Sequence, residues 1–334
     1  MSPLTPPPCP VNAQAQPQPQ PLSRARLRRA AACAALGLLS LSPLAQAGDG
    51  GEPGDAAALD QKPASTTTVD KSQYNLFNPT PDNLLREFES SRPDQTTGPH
   101  TVDAGHYYLE IGLFENSLSF GATRNSSWIP LQNSHFRVGL TNTIELELIY
   151  DGVYNQNTQA LSAATGKRSD RTVDGSGDVT VRMRFNLIGD DGGPFAFAII
   201  PQFVAPTATS HLASEHFEGN VILPVSFKLP AGFSTILQVE PGTARNAADT
   251  KDVFALTSGA TLYHDILRKR DHVQLYLEYF DTLATGGDDT LAQQVDAGLR
   301  WRPIENWQLD FGANFGVSKP APDYQSFAGI STRF

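Results

Sequence analysis

A chain of 334 residues, 40% of them hydrophobic, with a formal charge of -10 and a mean hydropathy below zero, can bury a core. It is too polar for a helical membrane protein. Both cysteines, Cys9 and Cys33, lie in the first 47 residues, so the remainder offers neither a disulfide framework nor a thiolate metal site. That remainder has 21 basic and 35 acidic residues, a charge of -14, and no basic patch, which excludes nucleic acid as a partner.

Residues 1–47 begin with a Pro/Gln-rich leader, then a basic stretch, a short apolar run and a small-x-small ending at Ala47. This is the layout of a secretory signal peptide, and Ala30 to Leu41 is too short to span a bilayer. Residues 48–71 are rich in Gly, Ala, Asp and Thr and read as a flexible linker. Residues 72–103 read as a periplasmic N-terminal segment. In it Thr80 as N-cap, Pro81 at the first helical position and Asp82 in the first turn predict a short helix through about Glu89.

From Ala104 to Phe334 the hydrophobic period becomes two. In "GDVTVRMRFNL" Val179, Val181, Met183, Phe185 and Leu187 oppose Asp178, Thr180, Arg182, Arg184 and Asn186. Such alternation marks about twelve strands, each with one apolar and one polar face. The connections are tight after even-numbered strands, at "TNT", "IGDDGG", "PAG", "LRKRD" and "PIEN". Those after most odd-numbered strands are longer, as in 115–133 and 151–177. A soluble sandwich does not require that asymmetry, whereas a transmembrane antiparallel up-and-down β-barrel does. Trp301 and Trp307 beside the "PIEN" turn suit an interfacial girdle. The chain ends on Phe334, the usual address read by the barrel-assembly machinery, on a strand whose outward face would meet lipid.

Catalytic motifs are wanting. "TGKRS" (165–169) has Leu161 where a phosphate-binding loop requires Gly. His211, Glu215 and His216 read as solvated loop residues, with no third His nearby. Ser258 and His264 point outward on one strand but lie roughly 20 Å apart at strand rise, too far for a catalytic dyad. No catalytic, cofactor or metal residue is assigned.

The polar face becomes the lumen, with seven basic and eight acidic residues. Counting from the "TNT" turn puts Arg137 opposite Glu147, and Glu145 at the depth of Arg184. Glu110 and Arg182 also point inward. Two aromatic groups join them: Tyr108 and Phe114 beside Phe327 of the closing strand, and Tyr263 with Tyr276 and Phe280. These positions, from Tyr108 to Phe327, are the candidate lining of a constricted lumen; the alternative is that they only hold the wall together.

"YNLFNPTPDNLLREFESSRPDQTTGPHTVDAGHYYLE", with "HFRVGLTNTIELELIYDG" and "GSGDVTVRMRFNL", resembles the outer-membrane family labelled as belonging to the MetA pathway of phenol degradation. The resemblance runs from about Tyr74 to Phe334 and implies an outer-membrane barrel. The expectation is an all-β barrel over 104–334 in the cell outer membrane, with outer-membrane lipid, lipopolysaccharide and a small-molecule solute as partners and no cofactor. Its function would be passive uptake of small aromatic or hydrophobic molecules. A non-conducting structural or binding barrel, or a lipid-modifying enzyme, are the alternatives.

Overall fold

The structure is a computed structural model that describes residues 69–120, 123–161, 168–209, 216–245, 251–267, 272–286 and 289–334. The signal peptide, most of the linker, His211 and Glu215 lie outside the described residues. Fifteen β segments form one antiparallel sheet. They are β1 (Tyr107–Ser119), β2 (Thr123–Ile129), β3 (Ser134–Thr141), β4 (Ile144–Tyr150), β5 (Val153–Leu161), β6 (Arg168–Ser176) and β7 (Val179–Ile188). There follow β8 (Phe195–Ala205), β9 (Glu218–Lys228), β10 (Phe233–Arg245), β11 (Asp252–Leu267), β12 (His272–Ala284), β13 (Thr290–Ile304), β14 (Trp307–Gly316) and β15 (Tyr324–Arg333). Pairing of β15 with β1 closes the sheet. Three staves are each broken in two (β2 with β3, β4 with β5, β6 with β7), so the closed barrel has twelve staves.

The breaks fall at one level. Leu131 and Asn133 carry positive φ between β2 and β3, and Gly152 does so between β4 and β5. At Gly152 a Cβ would come within 2.8 Å of the Pro130 carbonyl, so this crossing needs glycine. Above the breaks, β2, β5 and β6 continue the wall. The stretches 115–133 and 151–177, expected as loops, are thus partly strand. Asn, Gln, Ser, Thr, Asp and Arg make up most of their sequence, which erases the two-residue period that would have revealed them.

The barrel is polar inside and apolar outside. Glu110, Glu145, Glu147, Arg184 and Asp310 are almost wholly buried, while Leu113, Leu277, Phe311 and Phe315 on the outer face are about half exposed. Such a surface is unfavourable in water and favourable in lipid. Trp301 and Trp307 lie exposed on either side of the tight turn at 305–306. The molecule is an outer-membrane β-barrel; among the described residues no helix is long and apolar enough to cross a membrane.

Residues 80–89 do not form the expected helix. A single 3-10 turn, Asp82–Leu84, follows Pro81, and no side chain caps it. Leu85 is already extended. The segment that follows is committed instead to the barrel interior.

Candidate functional site: a lumen divided by the N-terminal segment

Residues 86–103 enter the barrel at the rim of tight turns, reach inward to Arg92–Thr97, and return to the same rim. At entry, Arg86 donates to the Asn142 carbonyl (2.6 Å) and to Asp191 (3.0 Å). On return, the Thr101 N–H donates to Asp190 (2.9 Å) and the Val102 N–H to Glu145 (2.6 Å). Inward glycines make room for it. A Cβ on Gly139 would lie 2.1 Å from the Asp103 carbonyl oxygen, and one on Gly329 would lie 2.3 Å from the Arg92 guanidinium.

This segment has no secondary structure to satisfy its own main chain, so the wall does so. Glu110 accepts the Ser91 N–H (3.0 Å) and the Ser90 hydroxyl (3.0 Å). Glu278 accepts the N–H groups of Gln95 (2.9 Å) and Thr96 (2.8 Å), and Gln238 that of Thr97 (2.6 Å). Carbonyls are met by arginines: Arg302 reaches Phe88 (2.7 Å), Arg184 reaches His100 (2.8 Å), and Arg333 reaches Arg86 (2.7 Å). The segment's own charges are paired too. Arg92 binds Asp310 at 3.1 Å and the Gln132 and Asn133 carbonyls of the wall break. Asp94 accepts from Arg300 and Tyr263.

Two chambers lie on either side of the segment. The larger, about 940 Å³, opens at the turn rim and is lined by Phe88, His100, Lys228, Tyr263, His272 and Arg302, among others. The smaller, about 370 Å³, faces the long-connection side, where Pro93, Phe114, Glu115, Phe280, Asn314 and Phe327 are among its walls. Between them a void of only about 10 Å³ is bounded by Ser90, Ser91, Asp94, Thr96, Arg137 and Arg300. A water molecule needs roughly that much space, so this void is far smaller than either chamber.

The charged positions expected from the sequence meet here, but in altered pairs. Arg137 is in register with Glu147. Its guanidinium nevertheless binds Glu145 at 2.8 and 2.9 Å, Glu110 at 3.1 Å, and the carbonyls of Glu89 and His100. Glu147 takes His135 (2.5 Å) and Arg182 (3.4 Å) instead. Glu145 and Arg184 are in register and bonded at 3.0 Å, as their common depth suggested.

The aromatic grouping needs correction. Closure pairs Tyr108 with Arg333, and Phe327 with Glu115, so Tyr108 and Phe327 are not neighbours. A register shift between Gly112 and Phe114 displaces the alternation there. Tyr108 packs on Phe88 of the luminal segment (4.8 Å between ring centroids), and Phe114 stacks on Trp128 (5.0 Å). Phe327 belongs with Ile236, Tyr263 and Tyr276, while Phe280 shares the outer chamber with it. Sequence reasoning missed Arg92, Asp94 and Gln95 as lumen residues, since nothing in an aperiodic segment shows where its side chains point.

Outward Ser258 and His264 do not meet. Ser258 donates to Asp281 (2.5 Å) and His264 stacks on Phe233 (4.2 Å). At the rim, His100 is 3.6 Å from Asp190. Burial pushes its pKa down, but the Glu89 and Asp190 carboxylates override this and hold it above the usual histidine value.

Among solved structures, the chain resembles an outer membrane channel from Pseudomonas putida F1, with 12% identity and a TM-score of 0.49. The match covers 74% of this chain and all of that one. It also resembles the NanC porin (8% identity, TM-score 0.42, 67% of this chain and 98% of that one). The CymD monoaromatic hydrocarbon channel follows at 8% identity and a TM-score of 0.37, over 68% of this chain and 87% of that one. A search of curated proteins returned no match. The family model described as putative MetA-pathway of phenol degradation matches residues 90–334, from the luminal segment through the closing strand, and the chain belongs to that family.

Proposed function

We propose that this protein is an outer-membrane channel for the passive entry of small aromatic or hydrophobic molecules, and that residues 86–103 form its constriction. The observation that carries this reading is the pair of chambers, each with aromatic side chains in its wall, meeting across one segment. Phe114, Phe280 and Phe327 give a solute ring apolar contact on the outer side, and Phe88 and Tyr263 do so on the turn side. The buried Arg137, Glu145, Glu147, Arg182 and Arg184 hold the segment and the wall in one geometry. The family description, with its reference to phenol degradation, favours the same solute class.

In this reading the chain works without a catalytic group or cofactor. Residues 1–47 direct export, 48–71 form a linker, and outer-membrane lipid and lipopolysaccharide surround the barrel. The closing strand, ending in Phe334, is the part offered to the barrel-assembly machinery. Liposomes containing the refolded protein should take up phenol or toluene faster than empty liposomes and show discrete channel events in planar bilayers. Absence of both uptake and events would leave a structural or binding barrel as the better account.

A further inference from the structure

The inward columns of β12, β13 and β14 hold buried oxygens that passage of a solute does not use. Register sets Glu278 opposite Asp296, and Asp296 opposite Asn314. All three are at least nine-tenths buried. The Glu278 and Asp296 side chains project inward from directly opposed positions on neighbouring strands. Glu278 is already engaged by the N–H groups of Gln95 and Thr96 and by the Thr261 hydroxyl (2.7 Å). Asp296 Oδ2 accepts from the Gln95 side chain at 2.5 Å. Asp296 Oδ1 and Asn314 Oδ1 have no hydrogen-bond partner.

The direction of the Asn314 amide follows from its neighbours. Gln325 Nε2 donates to Glu115 at 2.9 Å. Gln325 Oε1 then faces Asn314 Nδ2 at 3.2 Å. The Asn314 oxygen is thereby turned to the other side. On the next rung toward the outer chamber, Gln294 Oε1 is likewise without a partner.

Two buried carboxylates directly opposed on neighbouring strands do not both remain ionised unless a proton or a cation lies between them. A proton serves the Glu278–Asp296 contact alone and leaves the Asn314 oxygen unmet. A hard cation with six to eight oxygen ligands at about 2.3–2.6 Å serves carboxylate and amide oxygens together. The cationic side chain on the same inward column, Arg300, is engaged by Asp94. We propose that Glu278, Asp296 and Asn314, with Gln294 on the adjoining rung, form a calcium-binding site in the barrel wall. Because Glu278 and Asp296 also hold Gln95 and Thr96, an ion there fastens the luminal segment to β12 and β13.

The test is calcium titration of the full chain refolded in detergent, followed by calorimetry and by luminescence of terbium in place of calcium. The expected result is saturable binding of one ion per chain. Asn314→Leu, which keeps both carboxylates, and Asp296→Asn should each weaken it by about tenfold or more. Tyr276, on the inward rung next to Glu278 and Asp296 and with an unpartnered hydroxyl, should sensitise terbium emission. Tyr276→Phe should remove most of that emission and leave calcium affinity nearly unchanged. A heat-dependent shift on SDS gels identifies variants that have folded. No saturable calcium binding by the folded wild type overturns the proposal and leaves a shared proton. Equal affinity in folded Asn314→Leu and wild type, or emission that survives Tyr276→Phe, places any bound ion elsewhere and also overturns it. The binding test is independent of what passes through the barrel.

Discussion

Arg137 on β3 and Glu145 on β4 are joined by two parallel hydrogen bonds of 2.8 and 2.9 Å, both side chains being buried. The remaining Arg137 donors go to Glu110 and to two carbonyls of the luminal segment, so one guanidinium ties three strands to the element inside them. Removing it takes a charged partner from two buried carboxylates and, among the described residues, leaves Glu145 with Arg184 and Glu110 with no cationic side chain bonded to it. Arg137→Met is expected to cost ~3–5 kcal/mol, the usual penalty for breaking a buried pair. Urea unfolding followed by the gel shift of the folded barrel measures this; a loss within error of zero would mean that the cluster relaxes around the gap.

The luminal segment should control conductance. Arg92→Ala combined with Gln95→Ala removes its hold on Asp310 and Asp296, and the two chambers should then communicate. Planar-bilayer recordings are expected to show larger or longer openings than the wild type. Unchanged events would place the constriction elsewhere.

The same segment can be locked. The Ser90 and Ser331 hydroxyl oxygens are 2.8 Å apart, close to the spacing of a disulfide, in which the sulfurs lie about 2.0 Å apart. With Cys9 and Cys33 replaced by Ser, the variant Ser90→Cys/Ser331→Cys should crosslink under oxidation. Solute uptake should fall on oxidation and recover on reduction if the segment must move. Uptake indifferent to the redox state would show a static lining.

The rim should respond to pH through His100. Its folded pKa lies above the unfolded value near 6.5, so its contribution is complete below that value. The contribution is lost as pH rises through the folded value, when the imidazolium beside Glu89 and Asp190 becomes neutral. Limited proteolysis within 86–103 should be faster at pH 8.5 than at pH 6 in the wild type, about equally fast at both in His100→Asn. An equal rate at both pH values in the wild type would contradict this.

The wall glycines make a steric prediction. Gly329→Val drives a branched side chain into the Arg92 guanidinium, and Gly139→Val into the main chain at Val102 and Asp103. The barrel pairs of β15 and β3 need neither glycine. Both variants should therefore insert as folded barrels whose segment 86–103 is open to protease. Protection equal to the wild type would mean that the segment shifts without leaving.

The staves from β7 onward, and the inward set Glu110, Arg137, Glu145, Arg182 and Arg184, were legible because a two-residue period assigns each side chain to a face. Closure could be inferred from turn asymmetry, though its register could not. The placement of Phe327 against Tyr276 rather than Tyr108 follows from where β15 meets β1 and from the shift at Gly112. The stretches β2, β5 and β6 were missed since their sequence is mostly polar, a composition that such strands share with loops.

Alternation along the chain, together with the asymmetry of its connections, thus determined by itself that the protein is a barrel, which side of each strand meets lipid, and which charges are shut inside. Only the tertiary structure decided what those charges do. A row of buried carboxylates is costly unless donors reach it, and here many of the donors are the main-chain N–H groups of a segment far away in sequence. That segment has no period of its own, and its path exists only once the wall has closed around it.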